Sequence, residues 1–492
     1  MHPATRQQRS LRFDRLAGEP LDVLLVGGGI SCAPLYAQLA AAGYRAAIVD
    51  KGDFASGTSQ ASGMLIWGGL LYLKQLDFRT VRKLCLARNH LLRDFPASVA
   101  PLDFYYQLRH AGRLPRSVLQ LGLYLYWLLG NGALKRPWRI APDSPKEALA
   151  YQEAMLVGSD SRLVLGEITR YDDEDRIALN HCQLLSASFD AGQQLWQVHL
   201  RDETTGSVHE ARAAAIINGC GVWTDAVNTT LGITSPYRHL FSKGVYLNLP
   251  RTGLPGAEIY PMPGQDDVLT CVPWGPVMMW GPTETPLDDL ETGWQPDRED
   301  VRFLLASATA SLGREIDPCS VVSMRSGVRP LAAPAGRKLD RYPLELSRRH
   351  GLALDPARRT VAIYGGKFTS SFELARKIAT QLRKWLPARR PPASPREEPP
   401  QWSAHPGLRE PVVAAAWARD REHCVTLEDY LRRRTPVSQW IARMGLGQAG
   451  EYRAAILEAA AAFSASPPAA EALAAGYEAK VACLHDALLS SL

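Results

Sequence analysis

The eight cysteines of this 492-residue sequence include no C-x-x-C pair; they are scattered at positions 32, 85, 182, 220, 271, 319, 424 and 483. Such spacing excludes a zinc knuckle and offers no disulfide framework, so a reducing, cytoplasmic setting is expected. No run reaches the ~18–20 apolar residues of a membrane-spanning helix. The nearest, VLQLGLYLYWLL at 118–129, is expected to be a buried helix, with contact to a membrane surface as the alternative. The opening MHPATRQQRSLRFDRLAGEP lacks the apolar stretch of a secretory signal, and residues 1–20 read as a flexible tail. Charge of either sign is not in excess: 56 Lys and Arg against 50 Asp and Glu leave +6. Without a concentrated basic stripe bearing aromatic platforms, nucleic acid is not an expected partner.

What is present is an ordinary globular composition, 46% hydrophobic and 22% charged, long enough for two or three domains. From Asp22 the pattern runs strand (DVLLV), glycine turn, helix to Gly43, then strand (AAIVD). Strand-like alternation recurs through 194–218 and in proline-punctuated runs between 244 and 324. A helix is predicted near 371–386. LPARRPPASPREEPP, at 386–400, is too rich in proline and charge to bury a core and reads as a linker. Ala- and Leu-rich helical spacing follows to the C-terminus.

VGGGISCAP, at 26–34, follows the first strand and opens the first helix. Gly27 and Gly29 supply the first two glycines of G-x-G-x-x-G, with Gly28 between them and Cys32 in the third place. The first glycine permits a tight turn, and the second lets backbone amides approach a pyrophosphate at a helix N-terminus. Asp50, followed by Lys51, ends the second strand where an acid can bind ribose hydroxyls. Two later glycine segments each follow a strand-like run: INGCGVW at 217–223, with Gly221, and YGGKFTSS at 364–371, with Gly366, Lys367, Phe368 and Thr369. Distant segments converging on one cofactor suit a long, buried FAD better than an exchangeable nicotinamide. A Walker loop and a metal site are not expected.

Together with DFASGTSQASGMLIWGGLLYL, DSRLVL, SKGVYLNLP, VPWG, SGVRPL and, near the C-terminus, HCVTLEDYLRRRT, these segments resemble the FAD-dependent glycerol-3-phosphate dehydrogenase family, within the glycine-oxidase-like flavoproteins. The resemblance implies an α/β fold. A Rossmann-like FAD-binding domain would be assembled from 20–75, 150–235 and 355–385. An antiparallel-sheet substrate domain (76–149 and 236–354) would cap it, and an all-helical domain would occupy 401–492. It implies that Thr58, Ser59, Ser62, Met64 and Leu65 line the cofactor, and that Gly68 and Gly69 let backbone pass beside the flavin ring. The implied reaction removes a hydride from a carbon bearing a hydroxyl or amine, with quinone or oxygen reoxidising the flavin, in some members at a membrane surface.

The sequence departs from that family at the substrate loop. The family pattern K-L-I-H-G-G-L-R-Y has Met64 for the lysine, Trp67 for the histidine and Leu71 for the arginine, with Tyr72 retained. In K-G-x-H, Lys243 is kept, as a candidate substrate contact with Trp67 and Tyr72, and Tyr246 replaces the histidine. A phosphate prefers arginine forks, so the pocket is expected to take a less charged, more apolar substrate than glycerol 3-phosphate. The alternatives are a genuine glycerol-3-phosphate dehydrogenase and a non-catalytic flavin-binding module. Arg329, Arg348 and Lys367 are the candidate anion-binding cations. Tyr246 is the candidate hydrogen-bonding or basic group, although an unperturbed phenol, with a pKa of about 10, is a reluctant base. His181, His239 and His350 are further candidate bases.

Overall fold

The computed structural model describes residues 1–108, 115–140, 148–253, 255–262, 268–290, 293–336, 350–396 and 398–491. The β-branched runs DVLLV and AAIV form the strands Leu21–Val26 and Ala46–Val49, buried almost throughout as central parallel strands must be. They pair in parallel with each other, with Val208–Asn218 and with Arg176–Leu179; Thr360–Tyr364 extends the sheet beyond Val208–Asn218. Helices α1 (Pro3–Ala17) and α2 (Ala33–Ala41) lie against this sheet, α2 with its buried Leu35, Tyr36 and Leu39.

The second sheet is mostly antiparallel. Its long central pair joins Tyr237–Pro250 to Ser323–Pro334, and it reaches through Val277–Gly281, Val268–Trp274 and Ala257–Pro261 to Val99–Gln107 and Ala148–Leu156. Helices α3 (Phe78–Asp94) and α4 (Arg116–Leu129) cover its far end. After helix α5 (Asp160–Thr169), the chain returns to the first sheet. A helical C-terminal region packs around Trp417, Leu431, Ile456 and Tyr477.

Four expectations are corrected here. Residues 1–20 are not a loose tail: α1 buries Phe13 and Leu16 against the sheet, and Arg9 pairs with Asp202 at 2.7 Å. Few apolar residues give the helix away, because a buried arginine, rather than a hydrophobic stripe, anchors much of it. Within the segment 386–400, residues 386–396 form a strap along the first sheet's helices. Arg390, Ala393 and Arg396 donate backbone N–H bonds to Gly43, Ala40 and Arg170, while the intervening prolines have no N–H to satisfy. Ala148–Leu156 and Leu65–Ile66 belong to the second sheet, and Gly351–Asp355 to the first, contrary to the expected domain limits. Alternation marks a strand without saying which sheet it joins. Finally, the 118–129 run is helical but only half buried, with Leu123 and Tyr126 inward.

Candidate active site

The turn Gly27–Gly29 sits at the mouth of the parallel sheet. Gly27 has φ +104°, and a Cβ there would stand 2.8 Å from the Gly219 carbonyl oxygen, so the INGCG segment crosses directly behind the turn. A Cβ on Gly28 would meet the Phe54 ring at 2.3 Å. The Gly28 N–H donates to Asp50 Oδ2 (2.7 Å) and Gly52 N–H to Oδ1 (2.8 Å). Desolvation nevertheless raises the Asp50 carboxyl to about 6. Ser59 Oγ accepts the Ile30 N–H at 3.0 Å, placing this hydroxyl at the N-terminus of α2. Thr58 Oγ1 donates to the Val328 carbonyl at 2.6 Å. Lys51 stacks its ammonium 4.0 Å from the centre of the Trp223 ring, and desolvation lowers its pKa. Gly221, at φ +56°, offers bare backbone: a Cβ would meet nothing within 4 Å.

The loops 64–72 and 366–369 meet beside this cradle. Thr369 Oγ1 donates to the Trp67 carbonyl at 3.2 Å, and the Lys367 ammonium lies 4.2 Å from the centre of the Tyr72 ring. The Trp67 indole nitrogen is buried with no hydrogen-bond partner among the described residues. Met64 is fully buried at φ +61°, while Leu65 and Phe368 are partly buried beside it. Gly366 has φ +110°, and its face is filled by the His350 ring. Burial lowers His350 to about 4, and its Nε2 lies 3.0 Å from Ser370 Oγ.

The long antiparallel pair sorts the remaining candidates by face. Ser242 opposes Arg329 and Tyr246 opposes Arg325, so these four side chains share one face. That face covers residues 61–63: a Cβ on Gly63 would lie 2.4 Å from Tyr246 Oη, and one on Gly327 would lie 2.5 Å from Ala61. Arg329 pairs with Glu284 at 2.9 Å, and Glu284 also accepts from Ser242. Lys243 falls on the opposite face. Its ammonium contacts Asp297 at 2.5 Å and Asp300 at 2.7 Å, away from the face of Tyr246 and Arg329.

A further expectation changes. Ser62 gives both its N–H and its hydroxyl to Asp160 Oδ2, each at 2.8 Å, and Asp160 pairs with the fully buried Arg325. Its hydroxyl is thus structural. Gly68 has a buried network behind it: a Cβ would meet Tyr126 Oη at 2.3 Å and Arg88 Nη1 at 3.0 Å. Both groups bond Glu153, Arg88 at 2.7 Å. Arg348 lies outside the described residues. Sequence reasoning missed Glu284, Asp160, Arg325 and Glu153. Their partners are remote in the chain, and no local pattern signals them. His181 pairs with Asp429, and His239 Nε2 accepts the Gly365 N–H.

Residues 22–381 match the family described as FAD dependent oxidoreductase. The chain belongs to this family. FAD is accordingly its cofactor, and it is an enzyme acting on CH–OH or CH–NH donors. It is 28% identical over 409 residues to glycerol-3-phosphate dehydrogenase 2 of Mycobacterium tuberculosis, covering 78% of this chain and 67% of the relative. It is 28% identical over 388 residues to D-erythritol 1-phosphate dehydrogenase of Brucella abortus, covering 75% of each. The fold matches the glycerol-3-phosphate dehydrogenase from Bacillus halodurans complexed with FAD, with TM-score 0.70, 18% identity and 98% of both chains covered.

The residues present fit FAD. The start of α2 and Ser59 suit a pyrophosphate, Asp50 suits a ribose, and bare backbone at Gly221 lets the dinucleotide lie close. The orphaned Trp67 N–H is a buried donor needing an acceptor. In this FAD oxidoreductase Thr369 bonds Trp67 and Lys367 lies over Tyr72, while Tyr246 and Arg329 share one face of the long strand pair.

Proposed function

We propose that this FAD oxidoreductase acts on a hydroxy- or amino-substrate carrying less charge and more apolar surface than glycerol 3-phosphate. The observation that carries the reading is the state of the cations near the site. Met64 and Leu71 stand where the resembled family has a lysine and an arginine. Lys243 is turned to Asp297 and Asp300, and Arg329 is already ion-paired with Glu284. Each charge-assisted bond lost from a phosphate site is worth about 1.5–3 kcal/mol.

Bound FAD supplies the hydride acceptor. Lys367, held over Tyr72, is proposed to place its charge beside an anionic end of the substrate or the cofactor. Tyr246 is proposed to hydrogen-bond the substrate's oxygen or nitrogen, Trp67 and Tyr72 to face its apolar part, and Arg329 to meet any remaining anion after exchange with Glu284. The electron acceptor is proposed to be a quinone or oxygen. No described helix is long and apolar enough to cross a membrane, and peripheral attachment is proposed through α4. Its residues Val118, Leu121 and Leu128 are 51%, 69% and 60% exposed. A second reading, glycerol-3-phosphate oxidation itself, is favoured by the names of the relatives.

Anaerobic titration of the FAD-loaded protein with glycerol 3-phosphate, followed at the oxidised-flavin absorbance band, separates the two. Unchanged absorbance, with dithionite still bleaching the flavin, is the expected result. Rapid bleaching by glycerol 3-phosphate would sustain the second reading instead.

A further inference from the structure

We infer that the C-terminal helical region is a clamp on the FAD site, with the consecutive arginines Arg432, Arg433 and Arg434 as positioning residues for the cofactor loop. This rests on the FAD assignment and is independent of the substrate.

The three arginines occupy a π-helical turn, Tyr430–Arg434, whose Arg433 and Arg434 are buried. They diverge onto two points of the single connection between Ala46–Val49 and Leu65–Ile66, which carries the candidate cofactor-lining residues. Arg434 grips Asp53 bidentately, Nη1 to Oδ2 at 2.5 Å and Nη2 to Oδ1 at 2.9 Å. Arg433 adds Nε to Asp53 Oδ2 at 2.5 Å and spans to Gln60 Oε1 at 3.1 Å. Arg432 Nη2 donates to the Gln60 carbonyl at 2.7 Å. Asp53 lies three residues beyond Asp50, and Gln60 directly follows Thr58 and Ser59. One turn of the C-terminal region therefore holds this connection at both points.

The hold passes to the glycine turn through short links. Phe54 next to Asp53 fills the face of Gly28, and Ala55 N–H bonds the Gly28 carbonyl at 3.0 Å. Behind the loop, the N–H groups of His181 and Cys182 bond the carbonyls of Gly52 and Asp50, each at 2.7 Å. Asn180 ties Asp53 Oδ1 (2.7 Å) to the His423 carbonyl (2.6 Å) of the C-terminal region. Although burial works to raise it, the Arg434 and Arg433 guanidiniums hold the Asp53 carboxyl below its ordinary range. Asp53, His181 and Asp429 also lie close enough together to ligate a cation. The two guanidiniums already bring positive charge there, so the cluster reads as a latch. A segment gripped by bidentate arginines loses the freedom to splay when the cofactor leaves, which slows FAD release and raises affinity.

The test is the rate of FAD release from the full-length holoenzyme, followed by the rise of free-flavin fluorescence, together with thermal unfolding of each variant. Arg432→Ala removes a bond to one backbone carbonyl at a partly exposed position; Arg433→Gln loosens both contact points, Asp53 and Gln60. Both are expected to release FAD at least about tenfold faster than wild type. Arg453→Ala, which breaks exposed pairs with Glu471 and Glu478 in the same region, is expected to leave release unchanged. Release within twofold of wild type in Arg432→Ala, or equal acceleration in Arg453→Ala, would overturn the clamp. If Arg433→Gln fails to fold, Arg432→Ala alone decides.

Discussion

Gly68 stands in SGMLIWGGLLYL for a reason that lies behind it. The methyl that alanine would add falls 2.3 Å from the Tyr126 hydroxyl and 3.0 Å from Arg88. Both belong to a network around the fully buried Glu153, whose carboxyl burial pushes up while Arg88 pulls it down. Gly68→Ala must displace a packed, hydrogen-bonded side chain and is expected to destabilise the protein by about 1–3 kcal/mol in urea denaturation. Gly166 is exposed within α5, and a methyl added there would meet nothing within 4 Å. Gly166→Ala is expected to stabilise by about 0.5–1 kcal/mol in the same assay. The need for a glycine was legible at 68. Its cause was not, since Tyr126 and Glu153 come from separate stretches of chain that only packing brings there.

At the scale of elements, α4 shows what periodicity settles and what it leaves open. Val118, Leu121, Leu125 and Leu128 follow the three- and four-residue steps of one helical face, and that face is exposed. Leu123 and Tyr126 face the core on the other side. An apolar run with both faces hydrophobic declares a helix, but which face is covered depends on what packs against it. If α4 is the proposed membrane contact, Leu121→Glu combined with Leu128→Glu is expected to abolish sedimentation with anionic liposomes and to leave flavin content unchanged. Binding equal to wild type would refute that role. The strap 386–396 teaches the converse. Its prolines declared an irregular segment, while its fixed course depends on carbonyls offered by Gly43, Ala40 and Arg170.

For the whole molecule, buried titratable groups set the response to pH. Burial lowers His239 and His350 to about 4 and His423 to about 3, against an ordinary 6.5. The unfolded chain therefore takes up protons at these positions before the folded one does. Their contribution is full above about pH 6.5 and is lost as pH falls toward 4, so the melting temperature is expected to drop steadily over that window. Glu167 acts oppositely: burial raises it from 4.5 to about 7, so the folded state keeps its proton longer, and stability declines as pH rises from 4.5 through 7. Glu167→Gln should accordingly gain more over wild type at pH 8 than at pH 5. Equal differences at the two pH values would contradict the assignment.

By itself the sequence determined the cofactor class and the main framework: a buried strand, a glycine turn, a helix and an acid are local features, each readable from a few adjacent residues. It also made visible the loss of cations at Met64 and Leu71. Only the tertiary structure decided which remaining cations face the site. Strand alternation already puts Lys243 and Tyr246 of SKGVYLNLP on opposite faces, but only packing brings Asp297 and Asp300 to Lys243 and Gly63 to Tyr246. Likewise, Arg329 meets Glu284, and Arg433 and Arg434 reach back to Asp53 across most of the chain. Charge interactions depend on distance in space, and for these residues that distance is set by packing, not by position in the chain.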